Sequence, residues 1–194
     1  MGVSRTPVVQ ALDRLAREAL LETLPNGRVV VAGISEAAAR EMLEIRTALE
    51  AYAGRLAAER GLGAETLDRL RDLNRAMRDE IARLPELDGG RRARGVERVI
   101  GLNQELHQII NAASGNERLV RLLEETLDLA ATLPVLLSLS DEELQVAVDQ
   151  HDAIIGFLAR QDADATERAV REHVQASLVG ALPRLACRVP QPAG

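Results

Sequence analysis

The stretch SEAAAREMLEIRTALEAYAGRLAAERGLG, residues 35–63, is a helix written with its own start and stop. Ser35 followed by Glu36 opens it, and it runs to about Arg60 before Gly61 and Gly63 end it. The same grammar continues down the chain. A second helix is predicted from about Ala64 to Leu84, stopping before Pro85, with residues 86–90 as a linker. A third spans about Arg91 to Ala113 and breaks at Ser114-Gly115. Asn116 caps a fourth, which passes Leu133 into Pro134. Ser140-Asp141-Glu142-Glu143 opens the fifth with a cap and first-turn acids that suit the helix dipole, and this helix ends near Gln161. Asp162 or Asp164 starts the sixth, which runs to about Ala181, and the tail from Pro183 is expected to fray. Six helices with short links and no visible internal repeat imply a mainly α protein built as a six-helix antiparallel bundle.

Composition agrees with that reading. A chain of 194 residues accommodates one medium domain plus a fragment, enough for a real core. Hydrophobic residues make up 46% and aromatic residues 1%, Tyr52 and Phe157 being alone, so the core must be Leu, Ala, Val and Ile. All 24 basic residues are Arg, and the net charge is −6. Residues 1–33 hold four Arg against Asp13, Glu18 and Glu22, a balance of +1, which leaves −7 for the rest. An acidic body excludes a broad nucleic-acid surface, so any DNA affinity must come from the N-terminal segment. Cys187 is the sole cysteine, which rules out an intrachain disulfide and fits a reducing cytoplasm. No signal peptide or long apolar run appears, so a cytoplasmic protein without a membrane partner is expected.

The N-terminal segment reads as one capped helix and a β-hairpin. Ser4 is a good N-cap, Pro7 lies in the first turn, and Val8, Leu12, Leu15 and Leu20 form an inward stripe. Arg5 and Thr6 stand at the exposed N-terminal end, where a recognition helix touches bases and phosphates. Asn26-Gly27 suits a tight hairpin turn, and Arg28 beside it can reach a phosphate or a minor groove. Physics alone favours an ordinary helix and hairpin packed on a domain, because two arginines are not a basic footprint.

The chain has three histidines, His107, His151 and His173, each inside a predicted helix. Three histidines from three helices can converge on a metal in a bundle core. Gaps of 44 and 22 residues form no local metal motif, so spacing alone leaves three unrelated histidines slightly ahead. Their surroundings tilt the balance. His107 lies between Leu106 and Ile110, His151 just before Ile154 and Ile155, and His173 beside Val174 after Val170. Asn103 precedes His107 by four residues and shares its helix face.

GVSRTPVVQALDRLAREALLETLPNGRVVVAGI, residues 2–34, resembles the second half of the winged helix-turn-helix of the GntR family of bacterial transcription regulators. Ser4, Arg5, Thr6, Pro7, Val8, Ala11 and Leu12 agree with the family run, while Val9 and Gln10 stand where it has Arg and Glu. The two helices that precede this one in the family are missing, which points to a truncated chain or a misassigned start. The resemblance resumes from Ser35 to about Leu182. EIRTALE (44–50), NQELHQIINAASGNERL (103–119), DQHDAIIGFLARQDADAT (149–166) and AVREHV (169–174) look like the FCD ligand-binding domain of the FadR subfamily.

That resemblance implies three parts: a partial winged helix-turn-helix over 1–33, an FCD-type effector and metal-binding domain over 34–182, and a tail over 183–194. It assigns DNA contact to Ser4, Arg5, Thr6, Asn26, Gly27 and Arg28. It also implies a divalent-metal site of Asn103, His107, His151 and His173, with zinc expected and nickel or manganese as alternatives. Asn103 replaces the commoner Asp, which removes a negative charge and favours an anionic effector. Arg46, in the family's E-x-R-x-x-L-E pattern, divides evenly between a surface ion pair with Glu50 and a pocket arginine gripping an effector carboxylate. Asn116 is read only as a cap, and Arg91-Arg92-Ala93-Arg94 as a solvated helix start.

Two functions follow. One is a ligand-responsive regulator that binds a small carboxylic acid and, as a homodimer, a palindromic DNA operator. The alternative is a three-histidine metalloenzyme, a hydrolase or lyase, which needs a general base beside the metal. Glu172 and Asp152 adjoin ligands in sequence but face away from them on a helix, so the regulator is favoured. With a local charge of only +1 and no supporting first helix, this 194-residue chain is expected to bind DNA poorly at physiological salt. Gel shifts beside an upstream-extended version measure this, and tight sequence-specific binding by the shorter form would refute it.

Overall fold

The protein was analysed as a computed structural model that describes residues 9, 21–23, 27–31, 36–126 and 139–179. Strand β1 (Leu21–Thr23) pairs antiparallel with β2 (Val29–Val31), Thr23 opposite Val29 closing the ladder. Five residues therefore connect the strands, a longer loop than the tight Asn-Gly turn expected from sequence, with Gly27 at φ +79°. Of the predicted N-terminal helix, Val9 is helical and exposed, while Ser4, Arg5 and Thr6 lie outside the described residues, as does Asn26.

Six helices follow among the described residues: α1 (Glu36–Arg60), α2 (Ala64–Arg83), α3 (Gly89–Ala113), α4 (Glu117–Thr126), α5 (Asp141–Ala159) and α6 (Ala163–Val179). The predicted starts and stops place most of these ends. Gly61 takes φ +76° just past α1, and its N–H reaches the Ala57 carbonyl at 3.0 Å, an end that a left-handed residue makes possible. Asn116 Oδ1 accepts from Leu119 N at 3.1 Å, the expected cap of α4. Ser140 and Glu143 form a reciprocal capping box on α5. Between the two acids proposed to start α6, Asp162 is the cap, its Oδ1 accepting from Ala165 N at 3.0 Å. Two ends differ. Pro85 sits inside a short 3-10 turn, Leu84–Glu86, which tolerates proline at its start. α3 begins at Gly89 rather than Arg91, because the Asp88 carbonyl accepts from both Arg91 N and Arg92 N. The continuation of the fourth helix toward Pro134 and the end of the sixth lie outside the described residues.

Helix neighbours form a closed ring: α1 packs on α3, α3 on α2, α2 on α5, α5 on α6, and α6 back on α1. The apolar core lines this ring, with Leu70, Leu73, Met77, Leu84, Leu106, Val148, Ile154 and Leu158 fully enclosed. α4 packs outside it, placing Leu119 and Leu123 against Ala53 of α1. With almost no aromatic side chains, the ring closes through small ones. Ala51, Gly54, Ala57 and Ala58 share the inner face of α1. At Gly54 an added Cβ would lie 3.0 Å from Val170 Cγ2 and 3.3 Å from Thr166 Cγ2 of α6. Gly54→Val should therefore force α1 and α6 apart and cost about 1–3 kcal/mol. Urea unfolding measures it, and a wild-type midpoint would show that this contact is looser than the geometry indicates.

Candidate metal centre

The three histidines meet inside the ring, from α3, α5 and α6. One nitrogen of each of His107, His151 and His173 lies within 4.8 Å of the other two. His173 Nε2 is 3.2 Å from His107 Nε2 and 3.1 Å from His151 Nε2. His151 and His173 are buried, and His107 is half-buried at the edge of the group. Helical period explains the convergence: His151 falls on the same inner stripe as Leu144, Val148, Ile154, Ile155 and Leu158 of α5, and His173 sits between Val170 and Val174 on α6.

Each outward Nδ1 faces an oxygen from a different side chain. His107 Nδ1 is 2.9 Å from Glu50 Oε2 of α1, His151 Nδ1 3.2 Å from Asn74 Oδ1 of α2, and His173 Nδ1 3.0 Å from Gln150 Oε1 of α5. Such contacts orient an imidazole and direct its Nε2 to the centre. Sequence reasoning missed all three partners. The available signal was a polar residue on an otherwise apolar stripe. Glu50 lies among Leu43, Thr47, Ala51 and Gly54, and Asn74 among Leu70, Leu73, Met77 and Ile81.

Arg46 donates from both Nε and Nη2 to Glu50 Oε1, at 3.1 and 2.7 Å. The ion pair foreseen from sequence is thus formed, but it is internal, since Glu50 is only 2% exposed. Arg46 reaches the cluster through Glu50. Asn103 lies half-buried on α3, one turn before His107. Thr47, on the same face of α1 as Glu50, has a buried hydroxyl without a hydrogen-bond partner among the described residues. Of the residues assigned to DNA, Gly27 and Arg28 are described, and both are exposed.

The electrostatics favour neutral rings beside one charge pair. Burial, then His107, pushes His173 down to about 3, with Glu50 opposing. Burial, then His173 and His107, pushes His151 well below its ordinary value. Burial pushes the Glu50 carboxyl up, but His107 and Arg46 outweigh it and hold it at about 2. Two neutral imidazoles and an internally cancelled Glu50–Arg46 pair therefore surround the central nitrogens.

Comparison with known proteins identifies the family and the fold. Residues 41–176 match the FCD domain family. Over 179 residues, 92% of this chain and 73% of the relative, it is 31% identical to a Paenarthrobacter nicotinovorans protein named "Probable D-xylose utilization operon transcriptional repressor". Over 79 residues, 40% of this chain, it is 39% identical to an HTH-type transcriptional regulator from the TAR-I ttuE-ttuC' intergenic region of Agrobacterium vitis, and spans 46% of that protein. The fold is similar to that of E. coli McbR/YncC, with a TM-score of 0.71 at 22% identity, covering 95% of this chain and 87% of the other.

The buried groups imply an acid-labile centre. His151 and His173 hold folded-state values below their ordinary 6.5, so their stabilisation is complete above that pH and is lost as pH falls, toward about 3 for His173. Glu50, also depressed, adds its loss between its ordinary 4.5 and about 2. Urea titrations of metal-free protein from neutral to acidic pH should show falling stability that begins below 6.5. A flat profile down to 4.5 would contradict the burial of neutral rings.

Proposed function

Since the chain belongs to the FCD-domain family of GntR-type transcription regulators, we propose that it is a ligand-responsive regulator of the FadR subfamily whose sensor takes a small organic acid at a divalent metal. The observation that carries this reading is the convergence of three Nε2 atoms whose outer nitrogens all rest on oxygens. Metal–nitrogen bonds of about 2.0–2.1 Å put tetrahedral donors about 3.3 Å apart. The spacings of 3.1 and 3.2 Å are within a few tenths of that value. His107, His151 and His173 would hold the ion, with the Asn103 amide oxygen as a fourth, weaker ligand. Zinc suits three imidazoles best, with nickel or manganese as alternatives. Bound, the ion supplies a Lewis-acidic pole for a carboxylate oxygen.

Charge supports an acid as the effector. Arg46 and Glu50 cancel, and Asn103 is neutral, so a divalent cation would stand uncompensated until an anion arrives. The orphan Thr47 hydroxyl supports a polar occupant, since an unmade buried hydrogen bond costs about 1–3 kcal/mol. Arg46 would serve such an acid by exchanging part of its hold on Glu50 for the effector carboxylate.

Residues 1–33 would be the reading head, 34–182 the sensor and 183–194 the tail. The working unit would be a cytoplasmic homodimer on a DNA operator. No helix among the described residues is long and apolar enough to cross a membrane. The family is one of regulators, not enzymes, and the carboxylate touching the cluster, Glu50, is already spent on Arg46 and His107. It is therefore no base for a metalloenzyme.

Elemental analysis and thermal shift test the reading. Near-stoichiometric metal, stabilisation by zinc or nickel, and its loss in His151→Ala are expected, and Asn103→Asp should tighten binding. Calorimetry with citrate-like, lactate-like and sugar acids should show binding that amide analogues and Arg46→Ala lack. Absence of metal together with no stabilisation would sink the metal site, and equal affinity for acids and amides would sink the effector class.

A further inference from the structure

We propose that Asn74, with Asp152 and Arg78 behind it, is a positioning residue for the metal centre, holding His151 with its ring proton on Nδ1 and its Nε2 lone pair turned inward before any ion arrives. The proposal rests on the metal reading above and deepens it, by extending the site through α2 to an ion pair on the protein surface.

Asp152 follows His151 in the chain, and adjacent side chains on a helix diverge. It nevertheless reaches the ring, by way of the neighbouring helix. Asn74 of α2 is 1% exposed and lies against one turn of α5. Its Nδ2 donates to the Val148 carbonyl at 3.0 Å and to Asp152 Oδ1 at 2.6 Å, while its Oδ1 lies 3.2 Å from His151 Nδ1. Val148 stands three residues before His151 and four before Asp152, so a single amide set over Val148 can touch both.

The direction of that amide is not free. Turned over, it would set its oxygen against a carbonyl and a carboxylate, both acceptors. Oδ1 therefore faces the ring, and an amide oxygen only accepts. His151 must then donate from Nδ1. In a neutral imidazole this leaves the lone pair on Nε2, the nitrogen that faces the centre.

Asp152 fixes the amide in turn. Its two oxygens are divided, Oδ1 taking Asn74 and Oδ2 taking Arg78 Nη2 at 2.8 Å. Arg78 stands four residues after Asn74 on α2 and also donates to Asp149 Oδ1 at 2.9 Å. Asn74 and Arg78 thus grip one carboxylate between them. The carboxylate draws on the Asn74 N–H, which makes the amide oxygen a stronger acceptor and the imidazole a better donor to an ion. The side chains of Asp152 and Arg78 are 57% and 38% exposed. An ion pair so open to water adds little to folding. Linked through Asn74, it has a different consequence: it sets how firmly a buried ligand is aimed.

Three measurements on the full chain test this: zinc competition against a chelator, urea unfolding without metal, and long-range nitrogen–proton spectra of labelled histidines. In the metal-free wild type, His151 should carry its proton on Nδ1. Asn74→Leu should lose that fixed tautomer and weaken zinc binding by about 10–100-fold. Asp152→Ala, at an exposed position, should weaken zinc binding several-fold with the urea midpoint unchanged. Asp152→Asn, which keeps an oxygen for Asn74, should recover most of that loss. A purely structural role would move the midpoint and leave the affinity. Wild-type zinc affinity in Asp152→Ala, or a metal-free His151 protonated on Nε2, overturns the positioning role and leaves the metal site standing. A wild type that binds no zinc overturns the metal reading, and the positioning role with it.

Discussion

Everything in this bundle is arranged around a cost: two imidazoles, of His151 and His173, are buried away from water, and a third, of His107, stands half-buried beside them. A buried ring nitrogen without a partner costs more than a hydrogen bond returns, so each needs an acceptor from the protein. Glu50, Asn74 and Gln150 supply them from α1, α2 and α5. These bonds cross between helices whose other contacts are aliphatic and permissive in register. An aliphatic core of Leu, Ile, Val and Ala fixes how close helices come, but it specifies less well how far one slides past the next. The polar network removes that freedom. Truncating one member leaves another buried and unpaired, which is why such networks are costly to break.

The same network sets the charge of the site. A carboxylate in direct contact with the histidines would normally make the pocket attractive to any cation and repellent to any acid. Arg46, internal and fastened to the same carboxylate, cancels that bias. What remains includes two imidazoles, of His151 and His173, that burial keeps neutral. Under the proposed metal reading, a cation would be selected by donor type and geometry, and an anionic ligand would meet a charge that the protein has not already neutralised. Of the two sequence-level readings of Arg46, the pair with Glu50 is formed, and the grip on an effector carboxylate belongs to the proposed function. Arg46 makes this pair at i,i+4, and it stands one residue from the site's polar lining.

The sequence was most legible where local chemistry decides the outcome. Ser140, Asn116 and Gly61 mark helix ends by bonds made within a few residues, and those ends lie where periodicity puts them. The three histidines could be singled out because each sits on an apolar stripe. Harder to read was anything set by a neighbouring helix. Glu50 looked like a surface residue because nothing within α1 reveals that His107 will cover it. Asn74 drew no reading from sequence, because its partners Val148 and Asp152 lie more than 70 positions away. The start of α3 was misplaced by two residues because glycines at 89 and 90 argue against a helix locally, whereas the Asp88 carbonyl holds the first turn.

A sensor needs a site that is rigid enough to select and yet not equally content in every state, since a ligand shifts an equilibrium only by its unequal affinity for the alternatives. In this ring the rigid part is identifiable. His107 is fixed through Glu50 and Arg46, and His151 through Asn74, Val148 and Asp152. Each chain ends in a partner that cannot reverse its donor sense. On α6, His173 Nδ1 lies 3.0 Å from the uncharged Gln150 amide of α5. α6, which carries that histidine, closes against α1 through the tight contact at Gly54. α6 is thus held on one side by its close approach to α1 and on the other by a polar contact to α5, so both faces of the helix fix where His173 stands.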